Sequence, residues 1–304
     1  MYDTVRFSCD IGRLDAAHLS KRGWTTQRTT RPDGAVIDKA ILNAESLPRL
    51  TWYDSGYVTA ECSLPKLLRG ENVSLVNECD LPLAFKRVSE YVGAAIGVVV
   101  DVADWNLARC DYCYCWQVGQ HLPLYLEALS HLHLSRHDRQ TVGAGTVAFH
   151  SAANKLQFYD KHAESGLDAA RGILRFEATI RDTRYLAKQL KVGRTASALL
   201  TDKNAVRTLR YFLVRLGLNE ERPIVSKAGA LERTVEEFGV RGAEKLWLFA
   251  QLYEQYGAKA KELFYSRNTF YRRRKALAEA GLLAWHNGAE DVLLPALVIH
   301  KLLE

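Results

Sequence analysis

The 304-residue sequence predicts an α+β fold: a mostly antiparallel sheet with helices on one face, then a helical region closed by a small β-ribbon. Three features predict it. Short runs alternating apolar and polar residues recur through the first part of the chain, separated by polar turns. Apolar residues then take helical spacing beyond about residue 200. Near the end, Asn287-Gly288 between two apolar runs is a strong signal for a tight hairpin.

In chain order, residues 5–10 open as a strand, and residues 36–42 and 50–63 supply further strands, with a helical turn after Pro65. Residues 82–96 form a helix, because Leu83, Val88, Tyr91, Val92 and Ala95 recur near its period. A strand over 108–116 precedes a helix over 123–134 carried by Leu124, Leu126, Leu129 and Leu132. Residues 142–150 and 155–162 pair as a hairpin across Ser151-Ala152-Ala153-Asn154. The strand at 174–181 completes the sheet, and a helix takes over near Asp182. Helices follow at 202–216, 231–238 and 241–256, with a break at Arg222-Pro223. Ser266 caps a helix running to about Ala280, Gly281 stops it, and residues 282–286 and 290–294 flank the Asn-Gly turn. Helix, helix, hairpin is the order of a winged helix-turn-helix. The expected domains are therefore 1–195, built on the sheet, and 196–304, helical and winged-helix-like.

Composition excludes several classes. With 48% apolar residues the chain can bury a proper core, and it contains no run of the length a membrane span needs. The first residues lack the basic start and long apolar run of a signal peptide, so a cytoplasmic protein without a membrane partner is expected. Cys9, Cys62, Cys79, Cys110, Cys113 and Cys115 are not expected to form a disulfide framework in such a chain. A zinc site on the last three is disfavoured, because Cys110 points away from the other two on an extended segment. Residues 1–160 carry 16 Lys/Arg against 18 Asp/Glu, whereas residues 161–304 carry 25 against 17. The positive surplus thus lies in the second half, where a polyanion would be met first.

Three strands carry the candidate chemistry. Period two places Arg109 and Asp111 on one face of their strand, and Arg175, Glu177, Thr179 and Arg181 on one face of theirs. In the strand between them, Gln157, Tyr159 and Lys161 share a side opposite Leu156 and Phe158. If the strands share a sheet, two carboxylates, a tyrosine, a lysine and arginines meet on one polar face. Asp111 and Glu177 suit Mg²⁺ or Mn²⁺, with Glu61 and His150 as further candidate ligands. The plainer alternative pairs each carboxylate with the arginine two residues away. Tyr159 is the candidate nucleophile, aided by Lys161, with Arg109 and Arg175 on phosphate. For Tyr159 an ordinary surface tyrosine on a sheet is the commoner case, and Tyr185, one helical turn from Lys188, is the rival nucleophile. His131-Leu132-His133 spells a metal motif that works on a strand, but here it falls in an expected helix, where the two rings diverge.

In the helix before the expected wing, Phe270 and Leu277 can anchor the buried side. That leaves Arg267, Asn268, Thr269, Tyr271, Arg272, Arg273, Arg274 and Lys275 for the exposed surface, a composition suited to the DNA major groove. The alternative is a solvated basic helix.

Taken in series, four segments resemble the rolling-circle replication initiators of filamentous phages (the gene II/X family) and the related initiators of Gram-positive rolling-circle plasmids. They are residues 64–73 (LPKLLRGENV), 108–111 (ARCD), 158–162 (FYDKH) and 174–178 (LRFEA). The resemblance covers the chain from its start to about residue 185 and fades beyond 190. It implies an HUH-like nicking domain and a site- and strand-specific, Mg²⁺-dependent endonuclease. Its tyrosine, here Tyr159, would stay on the 5′ phosphate and leave a 3′-OH primer, and strands would later be rejoined. Implied partners are double-stranded origin DNA and its unpaired nick-site strand, with host helicase and polymerase, and a homodimer. A non-catalytic winged-helix regulator of a phage or plasmid is the alternative.

Overall fold

The structure, a computed structural model, describes residues 1–14, 16–30, 34, 36–45, 47–132, 134–143, 145–279, 285–286 and 292–299. Ten strands form one antiparallel sheet: β1 (Tyr2–Asp10), β2 (Thr25–Thr30), β3 (Val36–Leu42), β4 (Arg49–Tyr53), β5 (Tyr57–Ser63), β6 (Asn106–Gln117), β7 (Asp138–Val142), β8 (Thr146–His150), β9 (Asn154–Asp160) and β10 (Ile173–Ile180). Their order is β2-β3-β4-β5-β1-β6-β10-β9-β8-β7. The α+β class expected from the sequence is the class found. The chain gathers into two compact units, Met1–Tyr114 with Glu177–Leu209, and Cys115–Phe176 with Arg210–His300; β6 and β10 each contribute to both.

In the first unit β1 lies between β5 and β6. Its register sets Val5 opposite Cys62 and Phe7 opposite Ala60, all buried, while Arg6 faces Glu61 on the other side of the pleat. Helix α1 (Ala16–Lys21) and the short α2 (Leu64–Arg69) precede α3 (Leu81–Ile96), which covers the apolar face. Helix α3 enters on Pro82 and stops at Gly97, in the left-handed region with φ 83°. It buries Ala84, Val88, Val92, Ala95 and Ile96 as one helical stripe, and Phe85 meets Phe7 edge-on at 6.1 Å. Fully burying a side chain as large as Phe7 is worth about 1.5–3 kcal/mol. The helices after β10, α6 (Thr183–Leu190), α7 (Ala196–Leu199) and the first turns of α8 (Asp202–Leu216), are tied back by tyrosines. The Tyr112 hydroxyl donates to the Leu199 carbonyl and the Tyr2 hydroxyl to Asp202, both at 2.9 Å.

In the second unit, β8 and β9 form the expected hairpin, with Phe149 opposite Leu156 and Val147 opposite Phe158. Ser151 closes the turn by donating its amide to the Asn154 carbonyl at 2.8 Å. Phe158 and Phe176 stack at 4.3 Å with rings 7° apart, and Trp116 lies 6.4 Å from Phe176. Helix α4 (Leu122–His131) buries Leu122, Tyr125, Leu126 and Leu129. It ends at His131 and Leu132 is already extended, so the helical argument against the two histidines does not reach His133, which lies outside the described residues.

A second core in this unit is made by α9 (Lys227–Tyr256), α10 (Ala260–Leu263) and α11 (Arg267–Glu279), and contains Phe249, Tyr253, Phe270 and Leu277. The two helices expected on either side of residue 239 appear as α9, bent where Gly239 takes φ 67°. The expected hairpin is corrected. Strand β11 (Arg222–Ser226), read as a break, inserts between β12 (Trp285–His286) and β13 (Val292–Leu294), parallel to one and antiparallel to the other. The two wing strands are therefore not each other's neighbours, and Asn287-Gly288 lies outside the described residues. Among the described residues no helix is long and apolar enough to cross a membrane.

Candidate active site and nucleic-acid surface

The register of β5, β1 and β6 assembles a chain of charged groups in the first unit. Arg6 stands opposite Glu61 on one side and Arg109 on the other. Its guanidinium donates to Glu61, whose second oxygen accepts from Arg109 Nη1 at 3.3 Å. Arg109 then forks onto Asp111, with Nε to Oδ1 at 3.0 Å and Nη2 to Oδ2 at 2.6 Å. The Thr179 hydroxyl of β10 also bonds Asp111. The plainer sequence reading of Arg109 and Asp111, a pair on one face, is thus present.

Burial decides the electrostatics. Asp111 is 3% exposed, and desolvation raises its pKa above the ordinary carboxylate value despite Arg109 and Thr179; the charge of Asp3 adds to the rise. For Arg109, burial opposes the charge, but Asp111, Glu61 and Glu177 outweigh it and the pKa rises. Arg109 is therefore a permanent cation facing three carboxylates. Glu177 is half-buried on the strand that also carries Thr179.

These donors fit Mg²⁺ or Mn²⁺ in kind, as hard oxygens. Among the described residues no three of His, Cys, Asp and Glu gather into a ready cage. A carboxylate offers about four acceptor directions. Arg109 and Thr179 take three of those on Asp111, and Arg6 and Arg109 three on Glu61, so about one remains on each. Magnesium asks for no more, since it typically keeps waters and takes one or two carboxylates with substrate phosphate.

Tyr159, Lys161, Arg175 and His150 belong to the second unit. Tyr159 is 4% exposed, and Arg175 and Lys161 are fully buried. Lys161 does not share the strand face assigned to it. Asp160 ends β9 as an N-cap, accepting from the amides of His162 at 2.8 Å and Ala163 at 3.2 Å, and Lys161 opens helix α5 (Lys161–Ser165). The lysine nevertheless stays beside the tyrosine, its Nζ 5.8 Å from the ring centre of Tyr159, and it pairs with Glu164. His150 ends β8 opposite Asp138 and Lys155. The rival Tyr185 is 59% exposed in the first turn of α6, in the first unit, where Asp182 accepts from its amide at 2.9 Å.

The basic helix α11 divides into two faces. Ser266 caps it through the Thr269 amide at 3.3 Å, and Phe270 and Leu277 are buried as expected. Arg267, Asn268, Tyr271, Arg272 and Lys275 are exposed at helical spacing and Thr269 is half-buried. Arg273 and Arg274 depart from the expectation. They turn inward over aromatic rings, 4.9 Å from the centre of Tyr265 and 5.9 Å from that of Tyr253.

Sequence reasoning missed Arg6 and the Thr179 bond to Asp111. Each sits on the polar side of its strand, but only the cross-strand register joins them to the carboxylates.

No family model and no curated protein matches the chain. Among solved structures it is similar to a rolling circle replication initiator protein from Geobacillus stearothermophilus, at 12% identity over 71% of this chain and 84% of that one, with a TM-score of 0.36. It is also similar to the di-domain ARO/CYC BexL of the BE-7585A biosynthetic pathway, at 12% identity over 64% and 77%, with a TM-score of 0.22. At these scores neither alignment decides a function.

Proposed function

We propose that this protein is a DNA-nicking strand transferase of the rolling-circle type. The observation that carries the proposal is the run Arg6–Glu61–Arg109–Asp111–Thr179 across one polar sheet face. Arg6 and Arg109 are partly exposed guanidinium groups held by carboxylates and so positioned to receive a phosphodiester, and the carboxylates suit a divalent cation.

In this reading the Tyr159 oxygen attacks phosphorus, the bond to the 3′ oxygen breaks, and the proton lost by the phenol is balanced, through solvent, by the proton the departing 3′ oxygen takes up. The strand retains a 3′-OH, and the 5′ phosphate stays on the tyrosine. Bond energy is conserved, so the reverse attack reseals the strand. Arg175 in the unit of Tyr159 and Arg109 in the other unit are each assigned to phosphate charge, and Lys161 supplies a cation beside the phenol ring. Asp111 and Glu177, with Glu61, would hold Mg²⁺ or Mn²⁺, and the ion when bound would supply charge that polarises a phosphate. The exposed face of α11 holds duplex DNA.

Burial of Tyr159 and Arg175 favours a second reading, a non-catalytic DNA-binding regulator, because a phosphate reaches neither group without local opening. Incubating the protein with supercoiled plasmid carrying its own replicon and Mg²⁺ separates the two. Nicked circles with protein on the 5′ end support the transferase. Retarded but intact plasmid, without adduct under Mg²⁺ or Mn²⁺, overturns it.

A further inference from the structure

The last turns of α8 carry a surface to which the proposed chemistry assigns nothing. Tyr211 is 56% exposed, and Val214 beside it is 59% exposed. The ring is not loose. Phe212, buried below it, meets it edge-on at 5.1 Å, and the Arg215 guanidinium lies 5.4 Å from its centre. Arg215 donates Nη1 to the Tyr211 hydroxyl at 3.3 Å and Nη2 to the Ser135 carbonyl at 3.4 Å, which fixes the cation against the ring. Arg210, one residue before the tyrosine, is anchored to the Ile299 carbonyl at 2.6 Å. The helix carries Lys203, Arg207, Arg210 and Arg215 against the single acid Asp202. Arg215 also borders a cleft of about 380 Å³ with His131, Glu220, Glu221, Tyr253 and Arg274. Arg215 thus touches the ring of Tyr211 and also lines a hollow that carries both cationic and acidic groups.

We infer that Tyr211 and Arg215 form a docking platform for an unpaired DNA strand, separate from the duplex-facing stripe of α11. The class of ligand follows from the chemistry. A basic helix attracts phosphate, but an exposed, braced ring next to a guanidinium gains little from a duplex, whose bases already stack on one another. An unpaired base offers a free π-face to the ring while its phosphate meets the arginines, and the cleft has room for a base turned off the strand. The inference rests on the DNA-binding part of the proposed function and not on its chemistry.

Fluorescence anisotropy with labelled dT20 and a labelled 20-base-pair duplex, at low and moderate salt, tests it. Tyr211→Ala should weaken dT20 binding at least about fivefold and change duplex binding less than twofold, because stacking on one ring contributes about 1–3 kcal/mol per base. Tyr211→Phe, which keeps the ring, should bind dT20 as the parent chain does, and its melting temperature controls for folding. Unchanged dT20 affinity in Tyr211→Ala, or an equal loss on duplex, overturns the platform. The dT20 measurement needs neither Mg²⁺ nor nicking, so failure to nick and failure of this surface remain distinguishable.

Discussion

Arg109 holds Asp111 by both carboxylate oxygens, at 3.0 and 2.6 Å, and so decides what else can reach that acid. A guanidinium makes this parallel fork and an ammonium cannot. Arg109→Lys should therefore retain charge but lose most nicking, with Arg109→Gln losing all of it. Both should also cost stability, about 1.5–3 kcal/mol for a charged hydrogen bond to a buried acid. Urea unfolding alongside the plasmid assay checks both. Lysine matching the parent in both would show that the fork is dispensable.

Divalent ions should stabilise the parent chain by mass action if the carboxylates hold them. A rise in melting temperature with Mg²⁺ or Mn²⁺ should shrink in Asp111→Asn and in Glu177→Gln. Identical titrations in parent and variants would remove both acids from the metal site.

Two tyrosines compete for the covalent role, one 4% exposed beside Lys161 and the other 59% exposed on α6. Tyr159→Phe should abolish the 5′ adduct and leave duplex retention intact, whereas Tyr185→Phe should leave the adduct in place. Mass spectrometry of the DNA-linked peptide identifies the residue directly, and a peptide carrying Tyr185 would transfer the role.

On α11, Arg272 faces solvent and Arg274 packs over Tyr253. Arg272→Gln should weaken duplex binding and lower the salt slope by about one unit, as expected for one lost phosphate contact. Arg274→Gln should instead lower the melting temperature, removing a cation–π contact of about 0.5–2 kcal/mol. Equal effects of the two on the salt slope would contradict the division of faces.

Alkaline stability should follow the buried thiols. Burial, with the charge of Glu61 adding, pushes Cys62 from its ordinary 9.0 up to about 12. Between those values the unfolded chain releases the proton and the folded chain keeps it, so stability falls as pH rises from 9.0 toward 12. Cys62→Ala should flatten part of that decline in denaturant midpoints. Iodoacetamide at mildly alkaline pH should label the exposed Cys79 and spare Cys62 in the folded chain.

What could be read from the sequence was whatever alternation or helical spacing reports directly. The strand around Arg109 and Asp111, the β8–β9 hairpin, α3 and α8 all carry clear periods, and each lies where its period put it. Strand β2 could not be seen, because Thr-Thr-Gln-Arg-Thr-Thr has no apolar side and all six residues are exposed at a sheet edge. Strand β11 was hidden by Pro223, which removes one ladder donor and reads as a breaker. Lys161 was misplaced because period two has no means of announcing that Asp160 turns the chain into a helix. Arg6 and Thr179 depend on which strands are neighbours, and a single sequence does not state that.

The placement of β11 sets an order of events during synthesis. Its two edges are completed by strands beginning at Trp285 and Val292, with all of α9, α10 and α11 lying between. Until those late residues leave the ribosome, a nascent chain carries a strand with both hydrogen-bonding edges open. The small sheet cannot close before the residues from 285 onward are available to it. A release of the chain before residue 285 would therefore leave a sticky strand behind rather than merely a shorter protein.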